Sequence, residues 1–142
     1  MPAELKRRIL SKKQKKRHNF SLGKTGEELA ERFLLAKGYK LVAKNYRTGK
    51  GRGGGEEIDL IFLEGKEVVF VEVKTRTGEN YGSPALAVNK TKVKQLSQAV
   101  NYFLRQNPRF GGKNYRIDAV SVALKEDGTV KIDHYQNITW LY

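Results

Sequence analysis

Cysteine is absent from this chain of 142 residues, so no disulfide framework, thiolate nucleophile or cysteine-held zinc can be built from it. Histidine occurs only at His18 and His134, too little for a histidine metal cluster and thin material for a histidine-based triad. No apolar run approaches the roughly 20 residues of a membrane-crossing helix. The N-terminus also lacks the apolar middle segment of a secretory signal. Negative charge is scarce, with 15 Asp+Glu against 28 Lys+Arg and a formal net charge of +13. These shortages lead us to expect a cytoplasmic protein without a membrane partner. Its one folded domain is long enough to bury a core unaided.

The positive charge is unevenly spread. Residues 1–20 hold eight basic side chains and one acid, Glu4, which leaves +6 for residues 21–142. We expect 1–20 to be a basic arm, flexible or partly helical, and 21–142 to be the domain proper. Such a balance favours a polyanion partner, nucleic acid first, bound more weakly as salt rises. Adhesion to ribosomal RNA, an anionic membrane or plain solubility would account for the charge as well.

Two strand-like runs carry the most chemistry. EEIDLIFL (56–63) and VVFVEVK (68–74) are rich in Val, Ile, Leu and Phe and flank the turn Glu64-Gly65-Lys66-Glu67. If those four residues form the loop, Leu63 pairs with Val68, Asp59 lies opposite Glu72, and Glu57 lies opposite Lys74. Two carboxylates and a lysine then converge. Like charges that close repel, and a hard divalent cation with oxygen ligands relieves them. A solvated face with a surface ion pair is the plainer alternative. Against it, Val68–Val71 is apolar on both faces, as in a strand covered on both sides.

Around this hairpin the spacing predicts a helix from near Lys24 to Lys37, with Leu29, Ala30, Phe33 and Leu34 inward and Gly38 as its stop. Glu28 and Glu31 face outward there, and Glu27 lies at the border of the apolar stripe. A strand around Tyr39–Lys44 follows. The glycine-rich segment 48–55 contains Gly49, Gly51 and Gly54 at dinucleotide-loop spacing, yet it precedes a strand instead of opening a helix. No phosphate-loop lysine stands at the required spacing either. A mobile basic cover and a plain connector both remain open for it. After a turn at 81–84, a helix over about Lys90–Gln106 buries Val93, Leu96, Val100, Phe103 and Leu104. Lys90, Lys92 and Lys94 crowd its first turn against the helix dipole, which suits an anionic partner. Strands over Tyr115–Leu124 and Val130–Tyr135, joined at Asp127-Gly128, complete the order α-β-β-β-α-β-β.

Taken together, Gly23-x-x-Gly26-Glu27, Asn45-Tyr46-Arg47, Glu57-Ile58-Asp59-Leu60, Phe70-Val71-Glu72-Val73-Lys74-Thr75-Arg76, Gly82-Ser83-Pro84 and Arg116-Ile117-Asp118 resemble the YraN family of uncharacterised bacterial proteins. That family is similar to restriction-endonuclease-like nucleases and to archaeal Holliday-junction resolvases. The resemblance implies an α/β fold with a restriction-endonuclease-like core, a mixed central sheet of about five strands flanked by helices. It also implies an Asp…Glu-x-Lys site with Asp59, Glu72 and Lys74 as catalytic residues and Glu27 as a further one from the first helix. Asp59 and Glu72, with a backbone carbonyl near Val73, would hold Mg²⁺ or Mn²⁺. The implied activity is metal-dependent hydrolysis of phosphodiesters, in DNA ahead of RNA, on branched, damaged or single-stranded substrates. Arg47, Lys50, Arg52, Arg76, Lys90 and Lys92 would touch the nucleic acid. Gln98-x-x-x-Tyr102 matches a motif of one nuclease branch. A nucleic-acid-binding module without turnover and a ribosome-associated interaction protein stay open, as does a homodimer.

Overall fold

The computed structural model of the chain describes residues 12–49, 56–78 and 90–141. Helix α1 (Lys12–Ala36) leads into β1 (Lys40–Arg47), β2 (Glu57–Glu64) and β3 (Glu67–Thr77); helix α2 (Lys90–Gln106), β4 (Tyr115–Leu124) and β5 (Val130–Tyr135) follow. The five strands form one sheet in the order β1-β2-β3-β4-β5. Only the β3–β4 pair is parallel; the other pairs are antiparallel. The sheet is therefore mixed, and the α/β architecture is as expected.

Among the described residues, each face of the sheet is covered by one helix. On one side Val93, Leu96, Ala99, Val100 and Phe103 of α2 pack with Val68, Phe70, Ile117 and Ala119. On the other, Ala30 and Leu34 of α1 pack with Val69, Val71, Val120 and Val122. Alternate residues of β3 and β4 thus feed opposite cores, which is why both strands read as nearly unbroken apolar runs. The bounds of α2, β4 and β5 agree with those read from the sequence.

Helix α1 departs from expectation, since it begins at Lys12 and not near Lys24. Its first part is built from Lys, Gln and Arg, which are good helix formers, and no proline interrupts it. The second half of the presumed arm is therefore helical. The helix stops where Gly38 adopts φ +93°, a left-handed conformation that glycine takes without a steric penalty.

The hairpin register is Leu63↔Val68, and the ladder runs to Leu60↔Val71, where its paired positions end. Neither Asp59↔Glu72 nor Glu57↔Lys74, the pairs that the extrapolated register required, belongs to the ladder. Glu57 is paired with Arg47 of β1 instead, both in the ladder and by an ion pair of 3.2 Å. The strands part because Asp59 accepts the Val73 N–H on its own side chain, at 2.7 Å. That bond satisfies the main-chain donor that would otherwise carry the ladder onward.

At the opposite end of β3, Arg116 is surrounded by Glu64 and Glu67 at 2.6 Å, Asp118 at 3.0 Å and Tyr39 at 2.7 Å. Asp118 is fully buried and is also held by His134 Nε2 at 2.7 Å and the Asn137 N–H at 2.9 Å. A cleft of 580 Å³ opens beside Glu64, Glu67 and Arg116. Arg116 spends its donors inside the protein, so this network ties β4 to the hairpin and to β5.

Candidate functional site

The site is built where β2 and β3 part. Val73 donates to Asp59 Oδ2 at 2.7 Å, and Glu27 of α1 comes up beside the same carboxyl group. Oxygens of Glu27, Glu57 and Asp59 all lie within 4.8 Å of one another. Burial, followed by the charge of Glu72 and then those of Glu27 and Glu57, pushes Asp59 up to about 8, the Val73 hydrogen bond acting the other way. Glu27 is also raised, by burial first and then by Glu57 and Glu72, while the Asp59 hydrogen bond opposes the shift. The cause is shared: four carboxylates gather in a half-buried place with too little positive charge among them.

Glu27 reaches this point because α1 lies unusually close to β3. A Cβ built on Gly26 would fall onto Thr75 Oγ1. The neighbouring glutamate is thereby carried to the sheet.

Glu72 is buried, with 6% of its side chain exposed, and two lysines hold it: Lys74 Nζ at 3.4 Å and Lys92 Nζ at 3.6 Å. Lys92 also reaches Glu56, at 3.8 Å. The lysine crowding at the start of α2 has a local account here. Lys92 is drawn to acids on β3 and before β2, which offsets its unfavourable place at a helix N-terminus.

The structure brings Asp59, Glu72, Lys74 and Glu27 into one neighbourhood, but the closest carboxylate group is Glu27–Glu57–Asp59. Of the nucleic-acid candidates, Arg47 is exposed at the end of β1, Arg76 is half-buried on β3, and Lys90 is exposed on α2. Lys92 lies at the site itself. Lys50 and Arg52 fall outside the described residues, as do the glycine-rich loop from Lys50 on and the turn at 81–84. Gln98 is exposed on α2, and the Tyr102 ring lies 6.5 Å from that of Tyr46.

Sequence reasoning missed Glu57 as a member of the cluster, because an ideal register sent it toward Lys74. It also missed Asn45, one end of whose amide faces Glu27 Oε2 at 3.0 Å and Glu57 Oε1 at 2.9 Å; those acceptors assign the NH₂ to that end, from which it donates to both. One signal was legible: asparagine is disfavoured inside strands, and this one interrupts β1.

The donor set suits a hard divalent cation. It is all oxygen, mostly carboxylate, and carries more negative charge than Lys74 and Lys92 balance. Asp59, Glu57 and Glu27 present the close oxygens, with Glu72 beside them.

The model of the uncharacterised protein family UPF0102 matches residues 26–122. The chain is 44% identical over 108 residues to a UPF0102 protein of Chloroherpeton thalassium, covering 76% of this chain and 79% of that one. It is 42% identical over 119 residues to one from Syntrophomonas wolfei subsp. wolfei, covering 84% and 97%. A Geobacter metallireducens relative is 40% identical over 120 residues, covering 84% and 93%.

Proposed function

The chain belongs to the UPF0102 family, the YraN family that its motifs resemble, and we propose from its acidic site that it is a Mg²⁺-dependent nuclease hydrolysing phosphodiester bonds, in DNA ahead of RNA. The observation that carries this reading is the gathering of Glu27, Glu57 and Asp59 within 4.8 Å, beside a Glu72 that two lysines hold. Arg47, Lys74 and Lys92 offset part of this negative charge, and packing four acids together still costs stability unless further cationic charge joins them.

In the proposed reaction the oxygen of a water attacks phosphorus in line, the bond to the leaving oxygen breaks, and that oxygen takes up a proton. Asp59 and Glu72, with Glu27 and Glu57 alongside, would hold Mg²⁺ or Mn²⁺. The cation supplies Lewis-acid polarisation of the phosphate and activation of the water. Lys74, anchored by Glu72, offers an ammonium where charge grows on the phosphate oxygens. Lys92 offers a second from α2. Arg47, Arg76 and Lys90 are candidates for the flanking backbone phosphates, and the net charge of +13 favours such a substrate.

The test is cleavage of labelled junction, flap, duplex and single-stranded substrates in Mg²⁺ or Mn²⁺. Asp59→Ala and Lys74→Ala should each lower the rate by about 100-fold or more. Wild type cutting no better than either variant would end the enzymatic reading. The charge independently favours a second reading, a nucleic-acid-binding protein without turnover. In that case affinity survives chelator and Glu72→Gln but falls steeply with salt.

A further inference from the structure

Asn45 stands out in β1 because its backbone is left-handed, with φ +50°, in the middle of a strand. Residues with side chains avoid that region, asparagine least among them, and a residue held there within regular structure invites a functional account. Its place is specific. The pairs Lys44↔Leu60 and Tyr46↔Ile58 bracket it, so it lies opposite Asp59.

The sheet is irregular at this point on β2 as well. Ile58 packs in the α2-side core, whereas Leu60 and Phe62, which strict alternation would put on the same face, pack in the α1-side core. The change of face falls around Asp59. Asn45 and Asp59 are thus the paired positions at which two neighbouring strands leave ideal geometry.

We propose that Asn45 is a positioning residue of the acidic site, its amide holding one oxygen each of Glu27 and Glu57 in the arrangement a divalent cation beside Asp59 would meet, while the second Glu57 oxygen takes Arg47. The inference rests on the metal-dependent reading above. With its NH₂ assigned to the end that faces the acids, the amide gives each carboxylate one N–H, at 3.0 and 2.9 Å. The chemistry favours an amide for this task. A lysine or arginine could bridge the same acids, but its charge would neutralise them and repel the incoming ion. A neutral double donor sets their geometry without adding charge, so the basic group paired with them among the described residues remains Arg47, 3.2 Å from Glu57 Oε2. Asn45 and Glu27 also line a cleft of 60 Å³ between α1 and β1, reached by Lys24, Glu31 and Lys44.

The experiment must separate the amide from the backbone conformation that asparagine tolerates. Full-length wild type, Asn45→Gly, Asn45→Ala and Asp59→Ala are titrated with Mn²⁺, and free ion is read by electron paramagnetic resonance. Thermal unfolding is measured in parallel without metal. Glycine suits φ +50°, so Asn45→Gly should keep or raise the melting temperature while weakening Mn²⁺ binding about tenfold or more. Asn45→Ala should weaken binding similarly and also melt earlier. The Mg²⁺ concentration for half-maximal cleavage should shift with the Mn²⁺ affinity, and much of the rate should return at saturating Mg²⁺. Wild-type Mn²⁺ affinity in Asn45→Gly overturns the inference alone. A wild type that binds Mn²⁺ no more tightly than Asp59→Ala overturns it together with the metal-dependent reading.

Discussion

Burial first, and then the charges of Glu72, Glu27 and Glu57, push the Asp59 carboxyl up to about 8. This has a consequence for stability. The folded chain holds the carboxyl proton to about pH 8, whereas the unfolded chain releases it near the ordinary 3.8. Between those values the folded state binds more protons, so stability is full below the lower one and is lost as pH rises through the upper. The melting temperature of metal-free wild type should therefore fall from pH 5 to pH 8 more than that of Asp59→Asn. Mg²⁺ should raise the wild-type melting temperature more at pH 8 than at pH 5, because binding must first displace the proton. Differential scanning fluorimetry across that range reads both effects. A wild type and Asp59→Asn with parallel pH profiles would show that Asp59 is not the titrating group.

Helix α1 and strand β3 meet at Gly26 and Thr75, and their closeness sets where Glu27 stands. Gly26→Ala puts a methyl onto a β-branched side chain that has few alternative rotamers, so the helix must move or Thr75 must turn. Overpacking of this kind costs about 1–3 kcal/mol. Activity should fall further than that loss of folded protein explains, since Glu27 shifts with the helix. Thr75→Ala in the Gly26→Ala background should restore part of both, which denaturant unfolding and single-turnover cleavage would measure. If the double variant is no better than Gly26→Ala alone, the contact does not place Glu27. The other helix has a comparable role. Val93 and Leu96 seat α2 on the sheet, and that seating brings Lys92 to Glu72.

For the whole molecule the governing quantity is a charge of +13 that coexists with a local excess of carboxylates. The two do not conflict. On the proposed reading a polyanion would be drawn to the basic surface at long range, and a divalent cation would bridge its phosphate to an acidic centre that otherwise repels it. Lys12, Lys13, Lys15, Lys16 and Arg17 lie on the N-terminal part of α1. Changing all five to Gln preserves helix propensity and should lower the slope of log affinity against log salt by up to about 4.5. Filter binding or fluorescence anisotropy at several salt concentrations gives that slope. An unchanged slope would place the nucleic acid elsewhere on the protein. None of the helices in the described residues is long and apolar enough to cross a membrane.

Much of the architecture was legible in the residue order because its causes are local. Apolar alternation, unbroken Val and Ile runs and the heptad-like stripe of Val93, Leu96, Val100 and Phe103 settled the element order and the bounds of α2, β4 and β5. The identity of Asp59, Glu72, Lys74 and Glu27 as a candidate group was legible too, from charges set in otherwise apolar strands and from family motifs. Their three-dimensional relations were not. An ideal register sends Glu57 to Lys74, but a side-chain acceptor at Asp59 ends the ladder early and gives Glu57 to Arg47 and Asn45. The left-handed turn at Asn45, the touch of Gly26 on Thr75 and the reach of Lys92 to Glu72 each join residues from separate elements. Such contacts arise only when helices settle on a twisted sheet, where packing and hydrogen-bond satisfaction outweigh the periodicity of any one segment.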